Sequence, residues 1–325
     1  MGSNCMDMSA VDVVISTYGR GAAIDATIRS LRQNTYPHFT IWVLDQSEDD
    51  RTEQCVRHHA LEDERICYLR QPIRGISATR NAGAALGHAP YILFTNDDCV
   101  LDPGWIGGLV AELRDERVWL AFGAVYPGPQ EMKVNELVLG TCNGSRRIFR
   151  HNRFNLAFGH GHNMGARRNA FEQMGGFDEL IGAGAPLGSW EERDLGYRVL
   201  KSGGWIAFTP QAIAYHHHWQ NWQGVRRSFR AYGIGAGAVA GKYLRCGDLG
   251  GLVLLGEWLF SQGLRQIASG VIKWHRLDKI LLGLDQLYYP FVGLQKGWSY
   301  QLNRELCCYI APFRLTDPSQ RGVAP

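Results

Sequence analysis

Four short apolar runs rich in β-branched residues alternate with helical spacing over the first hundred residues. This alternation constrains the fold more than any other feature of the chain. Val11-Asp12-Val13-Val14-Ile15-Ser16 reads as a buried strand. Ile24 to Gln33 follows with Ile24, Ile28 and Leu31 on one helical face. Thr40 to Leu44 is a second strand ending at Asp45, Asp49 to His59 a charged helix, and Ile66 to Leu69 a third strand. Ser77 to Leu86 is alanine-rich and helical, with Gly87 placed as its C-cap. Tyr91 to Thr95 is a fourth strand, ending at Asn96-Asp97-Asp98. The order β-α-β-α-β-α-β predicts an α/β fold with a mostly parallel, Rossmann-like central sheet flanked by helices. In such sheets ligands bind beyond the carboxyl ends of the strands. Thr17, Asp45, Asp97 and Asp98 all fall there and are expected to converge on one crevice. A further helix is expected over Trp105 to Leu113.

The net charge of +3 over 325 residues hides an asymmetry. Residues 1–195 hold 19 Lys/Arg and 25 Asp/Glu, a net of −6, whereas residues 196–325 hold 15 and 6, a net of +9. The second part also carries six of the ten tryptophans. An acidic front joined to a basic, aromatic back argues against a nucleic-acid binder, which needs a coherent basic surface. Met1 to Asp7 has neither a basic n-region nor an apolar h-region, so no signal peptide is expected. No uncharged apolar run reaches the ~18–20 residues that span a bilayer. The expected location is cytoplasmic, or at the inner face of a membrane. The eight cysteines (Cys5, Cys55, Cys67, Cys99, Cys142, Cys246, Cys307 and Cys308) form no C-x-x-C pair and read as free thiols.

Gly19-Arg20-Gly21-Ala22-Ala23-Ile24 follows a strand, opens a helix, and has Asp45 at the end of the next strand. It imitates the dinucleotide fingerprint of an NAD(P)-dependent oxidoreductase, but the sixth position, which needs a small residue for helix–strand packing, is Ile24.

Two adjacent carboxylates, Asp97 and Asp98, repel each other unless a cation compensates, and hard divalent cations take oxygen ligands. Just upstream lies Gly75-Ile76-Ser77-Ala78-Thr79-Arg80-Asn81-Ala82-Gly83. Together with Val14 to Arg20, Val43 to Asp49 and the stretch through Asp102-Pro103, this resembles the core signature of family 2 glycosyltransferases with the GT-A fold. The resemblance covers about residues 11–220. It implies an inverting, nucleotide-sugar-dependent enzyme, with Thr17, Tyr18, Arg20 and Asp45 at the base and Arg80 near the nucleotide. Asp97 would contact the ribose and Asp98 would ligate Mn²⁺ or Mg²⁺. Asn96 stands where many members carry Asp.

The second half repeats the likeness. Gly159 to Arg168, Gly175-Gly176-Phe177-Asp178-Glu179 and Gly188-Ser189-Trp190-Glu191-Glu192-Arg193-Asp194-Leu195 look like the acceptor half of the family. The resemblance places the catalytic base at Glu192, where the family has Asp. Single-displacement transfer needs a carboxylate to take the acceptor's proton and a cation to stabilise the departing diphosphate. Of the run His216-His217-His218, His216 is expected to complete the metal site, with His218 as the alternative on the same side of an extended segment. Trp190, Glu191, Asn163 and His162 are expected to line the sugar and acceptor pocket.

Gly233, Gly237 and Gly241 recur every four residues, which lets helices approach closely. Beyond them Leu252 to Leu287 alternates apolar residues with Arg265, Lys273 and Arg276. Packing on the catalytic part and in-plane contact with an anionic membrane both remain open for these helices.

The expected organisation is a catalytic domain over 1–225, with a nucleotide half about 11–103 and an acceptor half about 154–218, and a basic helical extension over 226–325. The expected function is transfer of a sugar from a UDP-sugar to a glycan or lipid-linked acceptor in cell-envelope polysaccharide biosynthesis. An oxidoreductase using the Gly19/Gly21 loop and a catalytically silent nucleotide-sugar-binding protein are the alternatives. Nothing in the sequence fixes the oligomeric state.

Overall fold

A computed structural model describes residues 9–72, 74–128, 137–138, 140–150 and 156–311. The segment read for a signal peptide and residues 312–325 of the expected extension lie outside the described residues. Strand β1 (Val11–Thr17) is buried along its whole length and pairs in parallel with β2 (Phe39–Asp45) on one side and β4 (Tyr91–Asn96) on the other. Strand β3 (Ile66–Arg70) extends the parallel array beyond β2. Helices α1 (Asp25–Arg32), α2 (Arg51–Ala60) and α3 (Ile76–Ala84) provide the crossovers. Side chains alternate along β1, so Val13 and Ile15 join one core with Ile28 and Leu31, while Val14 joins another with Phe94 and Phe122. Burial on both faces is why these strands read as continuous apolar runs.

Beyond β4 the sheet is mixed. Strand β5 (Cys99–Leu101) follows the acidic pair at once, then α4 (Trp105–Leu113), β6 (Val118–Pro127), β7 (Leu137–Val138), β8 (Arg147–Phe149), β9 (Asn163–Arg167), α5 (Arg168–Gln173), α6 (Glu191–Lys201) and β10 (Trp205–His216). The sheet order is β3-β2-β1-β4-β9-β6-β10-β5, with β8 also on β10. Strand β9 is antiparallel to both β4 and β6, and β5 is antiparallel to β10.

Two expectations change here. Gly87 does not cap α3, whose C-cap is Ala85; a side chain at Gly87 would strike the Asp12 carboxylate, so the glycine makes room for a buried acid. Nor are all the cysteines free. Cys246 and Cys307 form a disulfide across 61 residues, with Cα atoms 6.2 Å apart. The chain returns to the end of a long helix at Cys307, and sequence spacing does not carry that return. Cys55, Cys67, Cys99, Cys142 and Cys308 are free; Cys5 lies outside the described residues.

After β11 (Trp219–Gln220), α7 (Trp222–Arg245) is capped by Asn221, whose side chain accepts the Gly224 N–H at 2.9 Å. Helices α8 (Gly250–Trp258) and α9 (Arg265–Ala268) are joined and followed by π-helical stretches, Leu259–Leu264 and Ser269–Trp274. Helix α10 (Leu277–Trp298) returns antiparallel, and a hairpin of β12 (Leu302–Asn303) and β13 (Cys308–Tyr309) ends the described chain. Helices α7 and α10 meet backbone to backbone, as the small-residue spacing predicts. A side chain at Gly237 would enter the Pro290 carbonyl, and one at Gly293 the Ile234 carbonyl.

Helix α7 is keyed to α6 and the rest of the sheet-bearing part by a buried cation. Lys242 is fully buried, with Nζ 2.7 Å from Asp178 and 2.8 Å from Asp194. Arg198 completes the cluster 3.0 Å from Asp194. Burial opposes the charge of Lys242, but Asp178 and Asp194 outweigh it and hold the ammonium above the usual lysine range. Removing one partner of a buried pair leaves uncompensated charge. Lys242→Met should therefore cost about 3–5 kcal/mol in urea denaturation, and a loss below about 1 kcal/mol would mean the cluster does not anchor the helix.

Candidate active site

The site begins where β4 ends. Asn96 is the last residue of β4 and Cys99 the first of β5, so Asp97 and Asp98 form the tight turn between them. Strand β5 pairs with β10 so that Cys99 lies opposite His216. That register brings His216 Nε2 to 3.4 Å from Asp98 Oδ1. His218, two residues on, reaches 3.4 Å from Asp98 Oδ2. Both histidines therefore approach the same carboxylate. Arg20, from the loop after β1, lies 2.8 Å from Asp98 and 3.2 Å from Asp97.

The two acids differ electrostatically. Burial works against the charge on Asp98, but hydrogen bonds with His216 and His218 and the Arg20 charge hold it well below the usual carboxylate range. Burial pushes Asp97 up to about 6, Arg20 opposing and the Asp98 charge reinforcing. Four imidazoles stack beside the pair: His160 on His162 (centroids 5.3 Å apart), His162 on His216 (4.1 Å) and His216 on His218 (5.3 Å). Burial lowers His160 to about 4 and His162 well below its ordinary value, so both are neutral near pH 7.

Donor atoms of Asp98, His216 and His218 lie within 4.8 Å of one another, as do those of Cys99, His162 and His216. Burial and the Asp98 charge raise the Cys99 thiol well above its usual range, so it stays protonated. The first trio, one ionised carboxylate and two imidazoles, is the set that fits a divalent cation.

The opposite wall is the N-terminus of α6. Its first turn holds Glu191, Glu192 and Asp194, where the helix dipole favours negative charge. Arg80, 1% exposed, donates to Glu191 Oε1 at 3.2 Å and to Asn96 Oδ1 at 3.1 Å. Burial, with repulsion from Glu192, raises Glu191 to about 7 against the pull of Arg80. Glu192 has no hydrogen-bond or ion partner among the described residues.

A cleft of about 580 Å³ connects the two walls. Arg20, Arg80, Asp98, His162, Trp190, Glu191, Glu192, His216 and His218 line it. Thr17, Tyr18, Asp45, Asp97 and Asn163 do not. Asp45 is fully buried beside Thr17 and accepts from Ser47 N–H at 2.8 Å and the Tyr68 hydroxyl at 2.9 Å. Tyr18 is 49% exposed, with Arg74 over its ring. Asn163 is sealed in the sheet: its Oδ1 accepts the Trp105 indole N–H at 2.7 Å, and its Nδ2 donates to the Ala124 and Ala212 carbonyls. Its position at the start of β9 makes it a cross-strand tie and not a pocket residue. Trp190 borders the cleft but is 3% exposed, packed edge-on against Trp258 with Arg193 over its ring. The sequence reading missed Arg227 and Tyr232, which reach the cleft from α7 and lie beyond the expected domain boundary at 225.

A parallel βαβ half, an acid pair at a strand end and a carboxylate cluster across the cleft define a glycosyltransferase of the GT-A fold. The sequence model of glycosyl transferase family 2 matches residues 12–175, and the chain belongs to that family. It is 34% identical over 139 residues to validoxylamine A glucosyltransferase of Streptomyces hygroscopicus subsp. limoneus, covering 41% of this chain and 27% of that protein. It is 25% identical over 120 residues to the Escherichia coli UDP-Glc:alpha-D-GlcNAc-diphosphoundecaprenol beta-1,3-glucosyltransferase WfaP, covering 37% of this chain and 47% of that one. The matches thus span less than half the length of these relatives. Among solved structures, the mannosyltransferase PcManGT from Pyrobaculum calidifontis in complex with GDP-Man and Mn²⁺ aligns with a TM-score of 0.59 at 12% identity, over 90% of this chain and 87% of that one.

Glu191 gives the site a pH signature. Its pKa is raised from 4.5 to about 7 in the folded state, so between those values the native state holds a proton that the unfolded chain has lost. The contribution of Glu191 is full below about pH 4.5 and is lost as pH rises through about 7. Relative to Glu191→Gln, the wild type should lose stability across that window in denaturation curves at stepped pH. A pH-independent difference would contradict the shift.

Proposed function

We propose that the protein transfers a sugar with inversion from a nucleotide-diphosphate sugar, a UDP-sugar, to a hydroxyl of a glycan or lipid-linked acceptor. The observation that carries this reading is the placing of Asp98 and its two imidazoles across one cleft from Glu192, which has no partner among the described residues. UDP-Glc in the name of the Escherichia coli relative, and GDP-Man with Mn²⁺ in the fold neighbour, agree with a nucleotide-sugar donor.

In this reading residues 11–103 hold the donor and 154–218 the acceptor. Asp98, His216 and His218 would hold Mn²⁺ or Mg²⁺, which supplies positive charge to the leaving diphosphate. Arg20 adds a second positive group beside the same carboxylate. Arg80 fixes Glu191 and Asn96, which orients the first turn of α6. The Glu192 carboxylate accepts the proton of the acceptor hydroxyl while that oxygen bonds to the anomeric carbon. The bond from the anomeric carbon to the diphosphate oxygen breaks, and its electron pair leaves with the phosphate. Asp97, Thr17, Tyr18 and Asp45 stand behind this centre at the ends of β1, β2 and β4, where they would support the nucleoside.

Thermal shift with UDP-glucose, UDP-N-acetylglucosamine and GDP-mannose, each with and without Mn²⁺, tests the donor. One UDP-sugar with Mn²⁺ should raise the melting temperature, and Asp98→Ala should abolish that rise. Glu192→Gln should keep the rise while lowering transfer or donor hydrolysis by about 10²–10⁴-fold. A protein that responds to NADPH and to none of the nucleotide sugars would overturn the reading.

A further inference from the structure

The C-terminal helix pair exposes an apolar face that the described chain leaves uncovered. On α10, Leu277, Leu281, Leu284, Tyr288, Phe291 and Trp298 follow a spacing of three, four or seven residues and are 40–77% exposed. That spacing puts them on one side of the helix. The opposite side, with Leu282, Gln286, Pro290 and Gly293, is buried. The preceding helical arm also exposes large apolar residues, Leu252 55%, Phe260 64%, Leu264 53% and Ile272 77%. Soluble surfaces seldom leave so many large apolar side chains together without a partner.

We propose that this face docks the protein, in plane, on an anionic lipid surface, with the turn between the helices as its leading edge. That turn carries the two most exposed apolar residues of the pair, Ile272 and Leu277, both 77% exposed. Lys273, His275, Arg276 and Lys279 flank them within two residues in sequence. Arg265 and Lys296 are exposed farther along the same helices. The nearby acids are largely neutralised: Asp278 pairs with Arg276, and Asp285 with Arg226 at 2.9 Å and Arg230 at 3.3 Å. An apolar edge ringed by cations complements anionic headgroups over an acyl layer. A two-fold contact between copies would instead set the face against itself and bring like charges together. No helix among the described residues is long and apolar enough to cross a membrane, so the fitting mode is lying on the surface. The surface is separate from the cleft, and the proposal does not depend on the donor or the chemistry.

The test is co-sedimentation of the full chain with vesicles of phosphatidylcholine alone and with roughly a third phosphatidylglycerol. The wild type should pellet with the anionic vesicles, less so at high salt, and stay in solution with the neutral ones. Ile272→Glu combined with Leu277→Glu should lower partitioning at least about tenfold, with an unchanged melting temperature because both positions are exposed. Lys273→Gln with Lys279→Gln should weaken binding and flatten its salt dependence. Wild-type protein that stays in solution with anionic vesicles, or a double Glu variant that still pellets, would overturn the proposal. So would a dimer in sedimentation velocity that the double Glu variant dissolves, since the face would then belong to a second copy.

Discussion

The architecture of the site depends on how one helical turn distributes three negative charges. Glu191, Glu192 and Asp194 all lie in the first turn of α6. The helix dipole offsets only part of their repulsion. Two of the three are compensated by cations buried in different parts of the fold. Arg80, from α3, takes Glu191; Lys242, from α7, takes Asp194, with Arg198 and the Tyr243 hydroxyl at 2.7 Å. Glu192 is left facing the cleft without a partner among the described residues. Two buried ion pairs therefore pin the helix from both sides. Buried pairs are weak stabilisers in themselves but strongly specify geometry when breaking them strands a charge.

The second constraint is the two-residue turn between β4 and β5, strands that pair with different neighbours in the sheet. Two carboxylates in a tight turn would be poorly placed alone. Strand β5 runs antiparallel to β10, which sets His216 against Asp98, and the His217 N–H donating to the Asp98 carbonyl at 2.8 Å holds the chain so that His218 reaches the same carboxylate. His160 and His162, which continue the stack beyond His216, are desolvated and stay neutral. They therefore add no charge beside the Asp98 carboxylate.

Much of this was legible in the sequence, for definite reasons. Strands β1, β2 and β4 are buried on both faces and so appear as apolar runs, and their polar ends fall at the carboxyl edge of the sheet. Helix α4 lies where a helix near Trp105 to Leu113 was expected. Strand β5 was not, since three residues have no periodicity. The antiparallel insertion of β9 was hidden because Asn163 looks like a polar pocket residue when its amide is in fact spent on cross-strand ties. Lys242 was hidden for the opposite reason: a lone lysine in a Gly/Ala-rich helix looks solvent-facing until Asp178 and Asp194 are seen beside it. The Cys246–Cys307 bond shares that property, since each partner is supplied by a distant turn of the chain.

The charge asymmetry between the halves takes on a different meaning in three dimensions. The acids of the front do not form a uniform surface: Asp12, Asp97, Asp98 and Glu191 each meet an arginine. The basic excess of the back is equally divided. Arg198 and Lys242 are buried counter-ions for acids, and Arg226 and Arg230 hold Asp285 between α7 and α10. Arg245 donates to the Gly297 and Tyr300 carbonyls at the end of α10. Much of the +9 is therefore structural, spent on joining the C-terminal helices to the rest of the protein and to one another. Because α7 also supplies Arg227 and Tyr232 to the cleft, that helix is part of the cleft wall. Arg265, Lys273 and Lys296 are exposed on the C-terminal helices that also carry the exposed apolar side chains.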